Sequence, residues 1–386
     1  MKRIAILVLA LLLLPLAAGQ VLAADTIKIG LLAPLTGFAA ADGLSVSNSV
    51  KLAVDQVNER GGLLGKKVEL IIEDDAAQAK EAVALARKLV QRDGVVAVVG
   101  GSYSMPSRAV APLFQQFKIP FVAGYAVHPD VTRAGDYCFR NGFLGTVEGR
   151  GAGVVAVDML QAKTVGLLTM DNDFGRTLAE GFKDYVTAKG AEIVFEQIYP
   201  LSEKDYSSYL TSIAKANPDV VLASGYYGQA AAIVKQAYEM GLQSQILGEE
   251  GYDSPKFIEL AGEEAAEGTI IVTNLDRDDP RDVVQEFISQ YRERYDMEPD
   301  MVGASNYDAF MIIANAIEKA GTTDPKAVRD AIAETKNFDG LTGIITGFTD
   351  IGEVIKPVQV QIVRDGAFHH FGIVDDPAII NPENVE

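Results

Sequence analysis

The chain has 386 residues, of which 48% are hydrophobic and 23% charged. This length exceeds one ordinary domain of about 100–200 residues, and the composition excludes a mainly disordered protein. The 53 acidic and 34 basic side chains give a formal charge of −19, which disfavours nucleic acid and acidic membrane surfaces as partners. With a single cysteine, Cys138, and three histidines, we expect no intramolecular disulfide, no metal site and no cofactor.

The first 24 residues have the pattern of a secretory signal peptide. Lys2 and Arg3 form a short basic start, an almost unbroken apolar run extends over 4–18, and small residues follow up to residue 24. The apolar run is shorter than the roughly 20 residues that a membrane-spanning helix needs. No cysteine stands at the cleavage site to carry a lipid. The pattern therefore predicts an exported protein that is cleaved and not lipid-anchored.

From residue 26 onward the sequence alternates between strand and helix patterns. The first predicted elements are strand 26–33, helix 45–60, strand 68–73, helix 76–91 and strand 95–99. Continuous β-branched runs of this kind are typical of parallel strands covered by helices on both faces. The order therefore predicts a doubly wound α/β sheet.

The same alternation begins again after residue 163. The predicted elements are strand 164–168, helix 174–189, strand 192–197, helix 206–216, strand 219–223, helix 229–240, strand 269–272, helices 279–295 and 306–320, and a hairpin over 359–368. Two similar doubly wound, Rossmann-like lobes result. No linker rich in Pro, Gly or Ser separates them, so we expect a packed hinge between the lobes.

Four loops are candidates for a binding site, because ligands of doubly wound sheets lie beyond the carboxyl ends of the strands, where helices begin. They are 100–104, 123–127, 225–228 and 248–251. The first loop lacks the Gly-Lys-Ser/Thr ending of a phosphate loop, and no dinucleotide motif follows a strand.

Each polar or aromatic residue in these loops has two interpretations. Ser104 can donate to an anion, or it can cap the helix that begins near Pro106. Tyr226 and Tyr227 can close over a ligand, or one can pack inward and the other face solvent. Of Glu249 and Glu250, one carboxylate can hold an ammonium group, or both can be ordinary surface acids.

Several motifs in this order and spacing make the mature chain similar to a known family. They are Ile29-Gly30-Leu31-Leu32-Ala33-Pro34-Leu35-Thr36-Gly37, the segment Asn58 to Val68, Val98-Val99-Gly100-Gly101-Ser102, His128-Pro129-Asp130-Val131-Thr132, Phe139-Arg140, Asp173-Phe174-Gly175 and Asn306-Tyr307-Asp308-Ala309. The chain resembles the type I periplasmic solute-binding proteins, specifically the branched-chain amino-acid (leucine/isoleucine/valine) binding family of ABC importers.

The resemblance implies an organisation and a function. Three crossovers would join the lobes, near 141–145, 272–276 and 348–356, giving a first lobe of 25–142 plus 276–350 and a second of 143–275 plus 351–386. The protein would act in the periplasm as a monomer. It would capture an amino acid with a branched-chain or other apolar side chain by hinge closure, and deliver it to an inner-membrane ABC permease.

The resemblance also implies a set of binding residues. Ser104 and backbone N–H groups of the second loop would hold the ligand carboxylate, and Glu250 would take the α-ammonium. The complete predicted set is Ser102, Ser104, Tyr125, Ala126, Val127, Phe174, Tyr226, Tyr227 and Glu250. The family often has a small residue at Tyr125, a threonine at Val127 and a tyrosine at Phe174, so the side-chain preference stays open.

Two other classes of function remain as alternatives. An enzyme would need a nucleophile and a base. The one histidine beside the candidate loops is His128, directly after 123–127 and next to a proline, and no such pair can be proposed. We therefore expect no catalytic residue. The other alternative keeps the binding site but changes its use or its ligand: a sensory protein that docks on a receptor, or a binder of an aromatic acid, an amide or a small amino acid.

Overall fold

The computed structural model describes residues 26–100 and 103–384. The predicted signal peptide and Ser102 lie outside the described residues. The first elements are β1 (Ile27–Ala33), α1 (Ala40–Glu59), β2 (Val68–Asp74), α2 (Ala79–Lys88), β3 (Ala97–Gly100), α3 (Ser104–Phe117), β4 (Phe121–Ala123) and β5 (Cys138–Arg140).

The middle of the chain contains α4 (Gly145–Val154), β6 (Thr164–Met170), α5 (Asp173–Ala188), β7 (Glu192–Tyr199), α6 (Ser207–Ala216), β8 (Val220–Ala223), α7 (Tyr227–Glu239), β9 (Gln245–Gly248), α8 (Pro255–Ala261), α9 (Glu263–Ala266) and β10 (Ile270–Thr273). The remaining elements are α10 (Asp282–Tyr295), α11 (Met301–Ala320), α12 (Pro325–Ala333), β11 (Phe338–Gly340), β12 (Gly343–Ile345), β13 (Gly347–Phe348), β14 (Val354–Ile355), β15 (Val358–Arg364), β16 (Ala367–Val374) and α13 (Pro377–Ile380).

Two central sheets define two lobes. The first lobe is built on a five-stranded sheet of order β2-β1-β3-β4-β5, in which every neighbouring pair is parallel. The edge strand β2 is only partly buried. The strands β1, β3, β4 and β5 are almost wholly buried, because α1 and α10–α12 cover one face of the sheet and α2 and α3 cover the other. This is the doubly wound arrangement that the continuous apolar strands predict, and the predicted fold class is confirmed.

The second lobe is built on a seven-stranded sheet of order β16-β15-β10-β9-β8-β6-β7. The strands from β7 to β10 are parallel, whereas β15 and β16 run antiparallel at the edge. The predicted hairpin forms this edge, and its turn at Asp365 and Gly366 has positive φ angles of 50° and 74°. Separate apolar clusters fill the two faces of the sheet.

The chain passes between the lobes three times. It leaves the first sheet after β5, returns after β10 to add α10, α11 and α12 to the core of the first lobe, and leaves again between β14 and β15. The exact residues at which the sequence analysis divides the two lobes stay a prediction. No helix within 26–100 and 103–384 is long and apolar enough to cross a lipid bilayer.

Two helices begin a full turn or more before their predicted start. Helix α1 begins at Ala40 rather than at residue 45, and α11 begins at Met301 rather than at 306. The first turns of α1 are buried through polar residues, so an apolar periodicity does not reveal them. Ser45 Oγ donates to Asp300 Oδ1 at 2.5 Å, which holds the N-termini of both helices beside each other at the cleft.

Candidate functional site

A cavity lies between the lobes, at the carboxyl ends of their parallel strands. Its empty volume is about 410 Å³, part of it open to solvent. The first-lobe wall consists of Asp42, Tyr103, Ser104, Tyr125, Met301 and Val302, and the second-lobe wall of Phe174, Tyr226, Glu250, Gly251, Asp253 and Ser254. The site therefore lies where doubly wound sheets bind their ligands.

The cavity brings together five of the residues predicted from the sequence. They are Ser104, Tyr125, Phe174, Tyr226 and Glu250. Three other predicted residues do not line this cavity. Val127 packs its side chain into the apolar cluster around Phe174, the carbonyl of Ala126 accepts from Arg140, and the Tyr227 hydroxyl donates to the Phe38 carbonyl across the cleft at 2.8 Å. The role of all these residues toward a ligand stays a prediction.

Glu250 carries the buried carboxylate of the second-lobe wall and is 3% exposed. Its Oε2 accepts from Asn274 Nδ2 at 2.8 Å. Burial and the nearby carboxylate of Glu148 raise the pKa of Glu250 well above its usual range, against the opposing effect of Lys356. Burial lowers the pKa of Lys356 itself to about 7. The ionised form of Glu250 is therefore incompletely compensated within the protein, and an incoming cation would stabilise it.

Glu249 has a different role from its neighbour. Its Oε1 accepts from the backbone N–H of Gly225 at 2.7 Å, and its Oε2 accepts from that of Gly251 at 2.5 Å. A Cβ on Gly251 would lie 2.4 Å from the carbonyl oxygen of Gly225, so this approach of the two loops requires glycine. The Glu249 carboxylate therefore joins the two second-lobe loops, while Glu250 faces the cavity.

The first-lobe wall offers hydrogen-bond donors at the start of α3. Tyr103 is the N-cap residue of this 14-residue helix and makes no side-chain capping bond. Within the described residues no side chain accepts from the first two backbone N–H groups, those of Ser104 and Met105. Ser104 does not cap this helix, contrary to one of its two interpretations. Its Oγ accepts from the backbone N–H of Val127 at 3.3 Å. A helix N-terminus with a hydroxyl beside it is suited to a carboxylate.

Four aromatic rings form a stack that crosses the cleft. Phe38 and Tyr103 belong to the first lobe, and Tyr226 and Phe174 to the second. The ring centroids are 5.6 Å apart for Phe38 and Tyr103, 4.5 Å for Tyr103 and Tyr226, and 5.5 Å for Tyr226 and Phe174. Arg108 of α3 also pairs with Asp173 of α5 across the cleft. The lobes are thus in contact around the cavity, in a closed arrangement.

Sequence reasoning missed part of the cavity wall. Asp42 lies in the turn of α1 that precedes the predicted helix start, and it is only 6% exposed. Its Oδ2 accepts from the Tyr103 hydroxyl at 2.5 Å, and burial raises its pKa to about 6 despite this hydrogen bond. Met301 and Val302 were missed for the same reason, since they are the first two residues of α11 and precede its predicted start. An acid among small residues, Ala40-Ala41-Asp42-Gly43, is the only sequence signal of Asp42.

The three histidines and the single cysteine make contacts of a structural kind. His128 Nδ1 accepts from the backbone N–H of Asp130 at 3.2 Å, as a capping residue does. His369 and His370 lie on β16 beside Asp278 and Asp276. Cys138 is buried, and burial raises the pKa of its thiol to about 12. No group of three or more His, Cys, Asp or Glu side chains in the described part of the chain is arranged to hold a metal ion.

The two-lobe fold and the cavity between the lobes define a solute-binding protein, and comparison with known proteins gives its family. Residues 26–367 match the sequence profile of the family described as periplasmic binding protein. The chain belongs to this family, and within it to the type I, Leu/Ile/Val-binding group. Because the family consists of binding proteins of ABC transporters, the prediction that the chain is not an enzyme is confirmed.

Three relatives show how far the likeness extends. The Leu/Ile/Val-binding protein BraC3 of Rhizobium johnstonii is 31% identical over 84% of this chain and 88% of its own length. A leucine-binding protein from Thermotoga maritima is 31% identical with a TM-score of 0.84, over 91% of this chain and 99% of that one. A solute-binding protein from Rhodopseudomonas palustris, in complex with 3,4-dihydroxybenzoic acid, is 26% identical with a TM-score of 0.82, over 91% and 98%.

Proposed function

We propose that this solute-binding protein captures an α-amino acid between its lobes in the periplasm and presents it to an inner-membrane ABC permease. Glu250 takes the α-ammonium, and the N-terminus of α3 together with Ser104 takes the α-carboxylate. The observation that carries the proposal is the position of Glu250: a buried carboxylate on one wall of the cavity, with hydrogen-bond donors for an anion on the opposite wall. A zwitterion fits this separation of charge.

Closure follows from the same geometry. Glu250 belongs to the second lobe, and Ser104 belongs to the first. A ligand that binds both gains its full set of contacts only when the lobes close, so it shifts the population toward the closed form. The permease, which the family implies, would recognise that closed form. A sensory receptor that docks on the same form is the alternative use of this mechanism.

An aromatic acid is the second candidate ligand, because four aromatic side chains line the cavity and the relative from Rhodopseudomonas palustris holds such an acid. The charges favour the amino acid. The cavity wall contains Asp42, Glu250 and Asp253, and no Lys, Arg or His of the described chain lines it. An aromatic carboxylate would bring a further negative charge without an ammonium to meet Glu250.

The side chain of the ligand is a separate question. The resemblance predicts a branched-chain or other apolar side chain, and the names of the relatives from Rhizobium johnstonii and Thermotoga maritima support this as a starting hypothesis.

A thermal-shift screen tests the proposal. The exported protein is unfolded and refolded to remove bound ligand, then heated with each of the twenty amino acids and with common amides and aromatic acids. A ligand at about a thousand times its dissociation constant adds about 4 kcal/mol to the native state, which raises the Tm by several degrees. We expect amino acids to give such a shift.

The variant Glu250→Gln tests the ammonium assignment in the same assay. We expect it to lose most of the amino-acid response, because the amide carries no charge for the ammonium. Glu259→Gln is the matched control, since Glu259 is an exposed acid on α8 whose ion-pair partner among the described residues is Lys256. A response to aromatic acids alone, or an unchanged affinity in Glu250→Gln, would contradict the proposal.

A further inference from the structure

We propose that Asp42 recognises the side-chain end of the ligand, and that the cleft therefore prefers an α-amino acid whose side chain ends in a nitrogen donor over one with a hydrocarbon side chain. The inference rests on the proposed function, because it takes the α-ammonium and α-carboxylate to be placed as described there. It replaces the starting hypothesis of a branched-chain ligand.

The first argument is the charge on the cavity wall. Three carboxylates line the cavity: Asp42, Glu250 and Asp253. The charge of Asp253 is compensated by Arg277, which forms a buried ion pair with it. Glu250 is compensated by the α-ammonium of an amino acid. One carboxylate, that of Asp42, is left for the remainder of the ligand.

The second argument is the environment of Asp42. It lies in the first turn of α1, at 6% exposure, and the Tyr103 hydroxyl is the one hydrogen-bond donor that reaches it within the described residues. No cationic side chain of 26–100 or 103–384 forms an ion pair with it. A neutral phenol offsets only part of the cost of burying an ionised carboxylate, so a second donor is required for full compensation.

The third argument is the hydroxyl of Tyr125, a residue of the same wall. Tyr125 is 4% exposed, and its oxygen has no hydrogen-bond partner among the described residues. The ring packs edge-on against Tyr103 with the centroids 5.8 Å apart. Burial raises the pKa of Tyr125 well above its usual range, and the charge of Asp42 raises it further. A buried, unpartnered hydroxyl in a ligand cavity indicates that the ligand supplies its partner.

These arguments make a hydrocarbon side chain unfavourable at this end of the cavity. Leucine or isoleucine would cover Asp42 and the Tyr125 hydroxyl with methyl groups. Asp42 would then keep only the Tyr103 hydroxyl as a donor, and the Tyr125 hydroxyl would have no partner among the described residues. An ammonium, guanidinium or carboxamide group donates to the carboxylate and can also donate to the phenol oxygen. Three further wall residues, Phe174, Met301 and Val302, are apolar and can pack against the aliphatic part of such a side chain.

The test measures dissociation constants by calorimetry on the refolded, full-length exported protein. The probes with a nitrogen donor are L-lysine, L-arginine, L-glutamine and L-asparagine. The probes without one are L-norleucine, which has the backbone and chain of lysine without its ammonium, and L-leucine, L-isoleucine and L-valine. We expect the best donor ligand to bind at least about tenfold more tightly than the best hydrocarbon ligand, as one charge-assisted hydrogen bond in a desolvated site allows.

Two variants separate recognition by Asp42 from a merely structural role. Asp42→Leu removes the carboxylate and should abolish or reverse the preference, with tighter binding of leucine and weaker binding of the donor ligand. Tyr103→Phe is the matched control, since it breaks the Asp42–Tyr103 hydrogen bond and leaves the carboxylate in place. If Asp42 served only to hold Tyr103, the two variants would change the dissociation constants of the ligands in the same way. We expect Tyr103→Phe instead to retain the preference for ligands with a nitrogen donor.

The outcomes distinguish the inference from the proposed function. If a hydrocarbon amino acid binds as tightly as the best donor ligand, or if Asp42→Leu keeps the donor preference, the inference is wrong while amino-acid capture stands. If no amino acid binds and an aromatic acid does, the proposed function itself is wrong, and the inference is overturned with it.

Discussion

Tyr103 of the first lobe and Tyr226 of the second stack on each other across the cleft, with ring centroids 4.5 Å apart and planes inclined by 27°. Each tyrosine is the N-cap residue of a helix that points its N-terminus at the cavity, α3 for Tyr103 and α7 for Tyr226. The contact therefore joins the two helix ends that would meet a ligand. Aromatic pairs of this kind contribute about 0.5–1.5 kcal/mol beyond the burial of their area.

Removing one ring should open the ligand-free protein. We expect Tyr226→Ala to lower the ratio of closed to open molecules by about two- to tenfold, because the stack stabilises only the closed form. Small-angle X-ray scattering of ligand-free samples would report a larger radius of gyration. The control is Tyr238→Ala, which removes an exposed tyrosine from the same helix, away from the cleft. Identical scattering from both variants would show that the stack does not hold the lobes together.

Ser104→Ala should weaken ligand binding less than Glu250→Gln does. The hydroxyl of Ser104 is a neutral hydrogen-bonding group worth about 0.5–1.5 kcal/mol, which corresponds to about a two- to tenfold loss of affinity. The backbone N–H groups at the start of α3 remain, and the N–H of Val127 becomes free to donate to the ligand. Calorimetric titration with the best amino acid would measure the loss. A complete loss of binding would mean that the hydroxyl, and not the helix N-terminus, holds the carboxylate.

The contact between α4 and α5 should be intolerant of any side chain at Gly149. A Cβ there would lie 2.1 Å from the carbonyl oxygen of Leu178 and 2.8 Å from the backbone nitrogen of Phe182. We expect Gly149→Ala to destabilise the protein by about 1–3 kcal/mol or more and to lower the Tm, because backbone cannot move aside as a side-chain end can. Gly228→Ala is the matched control, since Gly228 is also helical and nothing lies within 4 Å of its added Cβ. An unchanged Tm for Gly149→Ala would show that the helices can separate at little cost.

This helix pair shows why part of the fold could not be read from the sequence. Helix α4 contains Gly145, Gly149, Gly151 and Gly153, and glycine lowers helix propensity by about 1 kcal/mol per residue relative to alanine. Local pattern therefore argues against a helix. The helix forms because Gly145, Gly149 and Gly153 let α4 approach α5 closely, and Gly151 lets it approach Val358 of β15. These tertiary contacts leave no signal in the local sequence. The apolar strands β1, β3, β6 and β8 were predictable, since a fully buried strand carries its own signal.

The candidate site also contains residues that the sequence predicts and residues that it does not. Ser104 and Tyr226 follow predicted strands, and the rule that ligands bind at the carboxyl ends of such strands singles out their loops. Glu250 follows β9, which is not among the predicted elements, and the signal for its loop was a pair of acids between glycines. Asp42 and Met301 lie instead at the starts of helices, in turns that the spacing of apolar residues does not reveal. What places them at the cleft is the packing of α1 on α11, where a Cβ on Gly303 would lie 2.4 Å from Ser49 Oγ. Contacts between residues about 250 positions apart leave no local pattern.

Asp300 should make the ligand-free protein less stable as the pH rises. It caps α11 through Oδ1, which accepts from the backbone N–H of Gly303 at 2.9 Å. Burial raises the pKa of Asp300 from 3.8 to about 8, and the charges of Asp42 and Asp253 add to this effect. Between these two values the folded form keeps a proton that the unfolded form has released. The stabilisation is therefore complete below about pH 4 and is lost as the pH rises through 8, with a slope of at most about 1.4 kcal/mol per pH unit.

Asp300→Asn removes this titration and keeps the oxygen that caps α11. We expect the variant to gain stability relative to the parent, and the gain in Tm to be larger at pH 8 than at pH 5, because only the parent must take up a proton or bury an ionised carboxylate when it folds. Asp324→Asn is the matched control: Asp324 caps α12 by accepting from the backbone N–H of Ala327 at 3.0 Å, but it is exposed. Thermal unfolding of ligand-free protein at the two pH values gives the comparison. An equal change in Tm at pH 5 and pH 8 for Asp300→Asn would show that its carboxyl group does not titrate in this range.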